Sequence, residues 1–136
     1  MRNAFEAASL GPWGTMAIMM GLTFIAGFVL EFISIMIIIL PVAVAVLRTM
    51  GVDDVWFCIM FLVVIQTSYL TPPMAPAIFF LRGISPPEIR LVDMYKGVVP
   101  FIALHFVCLG LLMAFPDFAL LLPQVLFDYV PKGTPW

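Results

Sequence analysis

Oxygen atoms able to hold a cation are concentrated in one stretch, Gln66-Thr67-Ser68-Tyr69-Leu70-Thr71-Pro72-Pro73-Met74-Ala75-Pro76. Its hydroxyl and amide side chains stand next to three prolines. Proline deletes a backbone donor and clashes with the preceding turn, and it turns the residue before it away from helical angles. An α-helix therefore does not pass through Pro72-Pro73 and Pro76 undisturbed. Carbonyls released there, together with the Thr and Ser hydroxyls, make an oxygen-rich nest suited to a hard cation such as Na+. The alternative is an ordinary proline kink, with Thr and Ser bonding their own backbone.

Few other residues offer chemistry. Glu31 is the only acid within an apolar segment. An ionisable group at membrane depth costs at least about 2.5 kcal/mol on insertion scales and reads as functional by default. The alternative is a protonated carboxyl bonded to backbone. His105 offers a proton relay or an ion ligand, or a neutral imidazole bonded to a neighbouring helix. Cys58 and Cys108 lie in apolar runs and read as small hydrophobes rather than a disulfide or a metal pair. Asp53 and Asp54 read as helix caps. There is no metal-ligand cluster, phosphate-binding glycine loop or Ser/His/Asp constellation. The chain is therefore not expected to be an enzyme, and no cofactor is expected beyond a coupling ion.

Composition places these residues in a bilayer. The 136 residues are 64% hydrophobic and 10% charged, with a mean hydropathy of +1.17. Soluble domains carry about a quarter charged residues. The net charge of −2, without a basic cluster, gives no sign of nucleic-acid binding.

The expected fold is all-α and integral to the membrane. Residues 1–13 read as an interfacial lead-in, broken by Gly11-Pro12 and anchored by Trp13. The apolar segment from Gly14 to Leu47, bounded by Arg48, is 34 residues long. One span needs about 20 residues and two need about 40 plus a turn. A re-entrant hairpin over 14–48 fits, with its turn near Ala26-Gly27-Phe28 and Pro41 bending the second arm. Gly51 reads as a helix stop. Residues 55–82 then form a discontinuous transmembrane helix, about Val55–Tyr69 and Ala77–Leu81, broken over 70–76. An unwound link at that depth is tolerated only where protein or a wet cavity surrounds it. The loop 83–96 is expected to carry a short surface helix beginning near Ser85. With Arg82, Arg90 and Lys96 in this connection, the positive charge places it on the cytoplasmic side. Residues 97–115 form a further transmembrane helix. Residues 116–136 form a tail on the opposite, periplasmic face.

A set of motifs occurs in one order. Gly27-Phe28-Val29-Leu30-Glu31 precedes an Ile-rich run to Pro41. Gly51-Val52-Asp53, Trp56-Phe57 and Leu70-Thr71-Pro72-Pro73 follow. Tyr95-Lys96-Gly97-Val98-Val99-Pro100-Phe101, Phe115-Pro116 and Leu122-Pro123 complete it. This order resembles the C-terminal part of the large permease subunit of TRAP (tripartite ATP-independent periplasmic) transporters, over about residues 10–125. The Gln66–Pro73 version looks most like the branch labelled mannitol/chloroaromatic transport.

The resemblance implies a multi-pass protein of the bacterial inner membrane that imports organic acids such as C4-dicarboxylates, sialic acids or keto acids with Na+. It implies a periplasmic solute-binding protein and a small membrane subunit as partners. It also implies half of an inverted-repeat elevator, in which the hairpin and the broken helix shape one Na+ site beside the solute. On that basis Ala26, Gly27, Thr67, Ser68, Thr71 and Met74 are the expected Na+ residues, and Glu31, Pro72, Pro73 and Ala75 the expected solute residues. Two positions depart from the family pattern. Its usual Asp after the hairpin glycine is Glu31, and its usual Gly after the proline pair is Ala75. The family's large subunit is about three times this long, so the chain is expected to be a fragment, inactive without the N-terminal half. A small non-transporting membrane subunit that packs helices is the alternative, and a proton channel around His105 and Glu31 is a further one.

Overall fold

In the computed structural model, residues 11–72 and 75–131 are described. Most of the expected lead-in, Pro73 and Met74, and the last five residues of the tail lie outside the described residues.

Pro12 opens the first helix at a position where its missing N–H costs nothing. This helix, α1, spans Pro12–Ala26, and a turn over 27–30 reverses the chain into α2, Phe32–Arg48. At 1.5 Å per residue each arm is about 22–26 Å long, less than the roughly 30 Å of a hydrocarbon core. Gly51 ends this unit with φ +80°, and the Val52 N–H reaches back to the Leu47 carbonyl at 3.2 Å.

Asp53 then starts α3, Asp54–Leu70. Its Oδ1 accepts from the backbone N–H groups of Val55 and Trp56 at 3.0 and 2.9 Å. Capping of this kind contributes about 1 kcal/mol. The organising helix is α3, which packs against each of the other five described helices. Trp56, Phe57, Met60 and Phe61 are buried among Met16 and Met19 of α1, Ile35, Ala43 and Leu47 of α2, and residues near the C-terminus. The Trp56 indole N–H donates to the Leu112 carbonyl at 3.0 Å.

After the break, α4 spans Pro76–Ile84 and α5 spans Leu91–Ala114. Ala75, Ile78 and Met94 form a second small core where α4 meets α5. Among the described residues α5 alone is long and apolar enough to cross a membrane by itself, and almost none of its apolar window is buried. It is thus not the core helix of a soluble domain. The described residues are all helical or irregular, in agreement with the expected all-α membrane class.

Three local expectations change. Residues 87–89 form turns, not a surface helix. The helix expected over 97–115 begins at Leu91. Asp93 sits in its first turn, where a carboxylate is stabilised by the positive end of the helix dipole, and lies 3.7 Å from Arg90. The tail also contains a helix, α6, Pro116–Phe127, started by Pro116 in its first turn.

Candidate functional site

The site is the place where the hairpin turn meets the end of α3. Pro72, Pro73 and Pro76 have no N–H, so the carbonyls of Ser68, Tyr69 and Pro72 lose the donors that a continuous helix would supply. The Ser68 carbonyl is instead taken by the Thr71 N–H at 3.1 Å. Thr71 is extended (φ −83°, ψ 132°) and closes α3. On the far side of the link, Ala75 is fully buried and left-handed (φ 33°, ψ 64°). Its carbonyl accepts the Ile78 N–H at 2.8 Å, which starts α4.

Three hydroxyls line the last turns of α3, and each has committed its proton. Thr67 Oγ1 donates to the Val63 carbonyl and Thr71 Oγ1 to the Thr67 carbonyl, both at 2.7 Å. Ser68 Oγ donates to the Phe24 carbonyl at 2.8 Å, across 44 residues of sequence. A hydroxyl has one proton and two lone pairs. With the proton spent on a carbonyl, what remains for any further partner is acceptor capacity, the polarity a cation requires.

The hairpin turn is built by its own backbone. The Gly27 N–H donates to the Thr23 carbonyl at 2.9 Å, and the Ala26 carbonyl accepts from both Val29 and Leu30 at 3.0 and 2.8 Å. Gly27 lies directly against Ser68. A Cβ placed on Gly27 would sit 2.3 Å from Ser68 Oγ and 2.7 Å from its Cβ. Glycine is required there by close approach.

The structure thus brings Gly27 to Ser68 and stacks Thr71 on Thr67. Pro72 is exposed at the link. Glu31 is exposed as well, and precedes α2 without a side-chain cap bond. Among the described residues no hydrogen bond joins Glu31 to the link. His105 lies half-buried on α5, with Nδ1 buried and, among the described residues, without a hydrogen-bond partner. The Phe24 carbonyl is a participant that sequence reasoning missed, since a backbone acceptor leaves no side-chain signal.

A second polar centre holds the opposite end of α3. The Tyr129 hydroxyl donates to Asp53 Oδ2 at 2.9 Å, and Asp53 is fully buried. Burial and this hydrogen bond push the Tyr129 phenol up to about 12.

Residues 1–118 match the family model described as the DctM component of the tripartite ATP-independent periplasmic transporter. The chain belongs to this family. The sialic acid TRAP transporter large permease protein SiaM of Vibrio cholerae is 30% identical over 103 residues, covering 76% of this chain and 24% of that protein. The sialic acid TRAP transporter permease protein SiaT of Haemophilus influenzae is 25% identical over 124 residues, covering 91% and 20%. The 2,3-diketo-L-gulonate TRAP transporter large permease protein YiaN of Escherichia coli is 24% identical over 97 residues, covering 71% and 22%. The chain therefore spans between a fifth and a quarter of the length of these relatives. They are permease components of membrane transporters, not enzymes. No solved structure matches the chain significantly.

Proposed function

We propose that this DctM-family chain forms the C-terminal part of the large permease subunit of a Na+-coupled TRAP transporter. In this reading α1 and α2 enter the inner membrane and return to the same face. The link between α3 and α4 lies near mid-membrane. The loop after α4 is cytoplasmic, and the C-terminal end is periplasmic. The remainder of a large subunit supplies the other half of the binding site. A small membrane subunit braces the assembly, a periplasmic binding protein delivers the solute, and the hairpin and broken helix move together as part of an elevator. The solute is a small organic acid or a molecule like it, as the names of the relatives suggest.

The observation that carries this reading is the contact of Gly27 and Phe24 with Ser68, beside a helix end whose carbonyls have lost their donors. A hairpin turn and a helix break meeting at one point offer the surface a coupling ion needs: several oxygens from two elements that can shift relative to one another. Thr67, Ser68 and Thr71 contribute lone pairs and Gly27 and Met74 contribute backbone oxygens, while the Ala26 carbonyl, which already accepts two N–H bonds, joins them only when the turn shifts. Glu31, Pro72 and Pro73 border the solute, and Ala75, fully buried against Ile78, sets the link behind them.

The test is Na+-dependent uptake by the assembled transporter containing this chain. Thr71→Val keeps the side-chain shape and removes one oxygen. The Na+ concentration for half-maximal uptake should rise several-fold. A wild-type Na+ requirement in that variant refutes the assignment.

A further inference from the structure

A cavity of about 550 Å³ opens between the start of α2 and the last turns of α3, lined by Phe32, Leu62, Ile65, Gln66, Tyr69 and Leu70. Its size lies within the roughly 300–1,000 Å³ of small-molecule sites. Its walls are carbon, apart from the Gln66 amide and the Tyr69 phenol. Gln66 is exposed although it belongs to the uncharged run from Val55 to Leu81. An amide at that depth is costly against acyl chains and is retained where a wet cavity or a bound molecule meets it.

The charge pattern narrows the occupant. No lysine or arginine lies in the lining. Along the chain, the charged residue nearest to any of the six is Glu31, an acid adjoining Phe32. A carboxylate brought here would lose its hydration with no basic side chain in the lining to offset the loss. Two aromatic rings and three aliphatic side chains instead favour a carbon skeleton. The amide and the phenol can each donate and accept one neutral hydrogen bond at its edge.

We infer that this cavity receives the uncharged, aromatic or aliphatic body of the transported solute, with Gln66 and Tyr69 setting specificity. This rests on the transporter reading above. The solute's charged end, where it has one, is held by other parts of the subunit. The cavity borders the final turn of α3, the turn that carries Ser68, so solute body and coupling ion would meet the same short piece of helix.

The experiment uses the assembled transporter with Cys58 and Cys108 replaced by serine. Leu62→Cys and, separately, Leu70→Cys are labelled with a hydrophilic maleimide in Na+ medium. Phenylacetate, hexanoate and succinate serve as protecting probes. Phenylacetate or hexanoate should slow labelling at concentrations about tenfold lower than succinate. Tyr69→Phe and Gln66→Leu should change that ratio several-fold. Protection by succinate equal to or better than that by the apolar acids overturns the inference. So does a thiol at both positions that is unreactive with and without probe, which would mean that protein fills the cavity. The Thr71→Val measurement stands apart: a raised Na+ requirement there, with either of these outcomes here, removes the cavity assignment and leaves the transporter reading in place.

Discussion

Gly27 and Ser68 occupy one another's space so closely that neither tolerates growth: a methyl group on the first would overlap both the hydroxyl and the Cβ of the second. The same serine donates to the Phe24 carbonyl, three residues before Gly27. The turn of the hairpin is thereby seated on the last turn of α3 by one steric and one polar interaction. The first depends on residue 68 remaining small, the second on its hydroxyl.

The steric half of this contact predicts a compensating pair. Gly27→Ala forces Ser68 or the turn to move and should destabilise the purified protein by about 1–3 kcal/mol. Ser68→Gly removes the Cβ and Oγ that the new methyl would strike. In the double variant the losses should not add, because residues in contact couple by about 0.5–3 kcal/mol. Thermal unfolding of all four proteins in detergent checks this. Strict additivity would mean that the two residues are not in contact.

The polar half is tested by Ser68→Ala, which keeps the Cβ and deletes the donor. Loss of a hydrogen bond of this kind costs about 1 kcal/mol, and the steric seat is preserved. The expected result is a small fall in thermal stability together with faster thiol labelling of a Val29→Cys probe in the turn, where Val29 is already exposed. Unchanged labelling would show that the seat alone holds the turn.

Ala75 gives an asymmetric prediction. A left-handed alanine is strained by about 1–2 kcal/mol, and Ala75 also precedes a proline. Glycine would relieve that strain. It would also forfeit a buried methyl, roughly 0.8 kcal/mol, and gain unfolded-state freedom of about 0.4–1 kcal/mol. These effects nearly cancel, so Ala75→Gly should leave the melting temperature almost unchanged. Ala75→Val, β-branched at φ 33° and fully buried, should lower it markedly. If valine is tolerated as well as glycine, residue 75 is not left-handed.

What the sequence could reveal follows from which interactions are local. The membrane-helical class is legible in composition and in the uncharged runs, because hydropathy acts residue by residue. The α3 start at Asp53 and the stop at Gly51 are legible because caps and left-handed turns depend on a few neighbouring residues. The seating of Gly27 on Ser68 and the hold of Tyr129 on Asp53 are not legible, since each joins residues tens of positions apart through tertiary contacts. The early start of α5 was hidden by reading Asp93 and Lys96 as loop charges, when the first is placed to favour a helix N-terminus. The helix in the tail was hidden by its prolines. Pro116 starts α6 and Pro123 is carried within it, so neither marks an irregular segment.

The last prediction concerns Tyr129, which ties the C-terminal segment to the cap of α3. Its phenol is pushed up to about 12 by burial and by the bond it donates to Asp53. An unfolded tyrosine ionises near 10. The folded state therefore holds this proton more tightly than the unfolded state does. The resulting stabilisation is complete below about pH 10 and is lost as the pH rises from there through 12. Phenolate absorbance should show one tyrosine ionising late, and Tyr129→Phe should abolish that late step. The same variant removes one donor from a buried carboxylate and should cost about 1 kcal/mol at neutral pH. Its stability should then fall less steeply than that of the wild type between pH 10 and 12. A parallel fall in both proteins would show that Tyr129 does not carry this pH dependence.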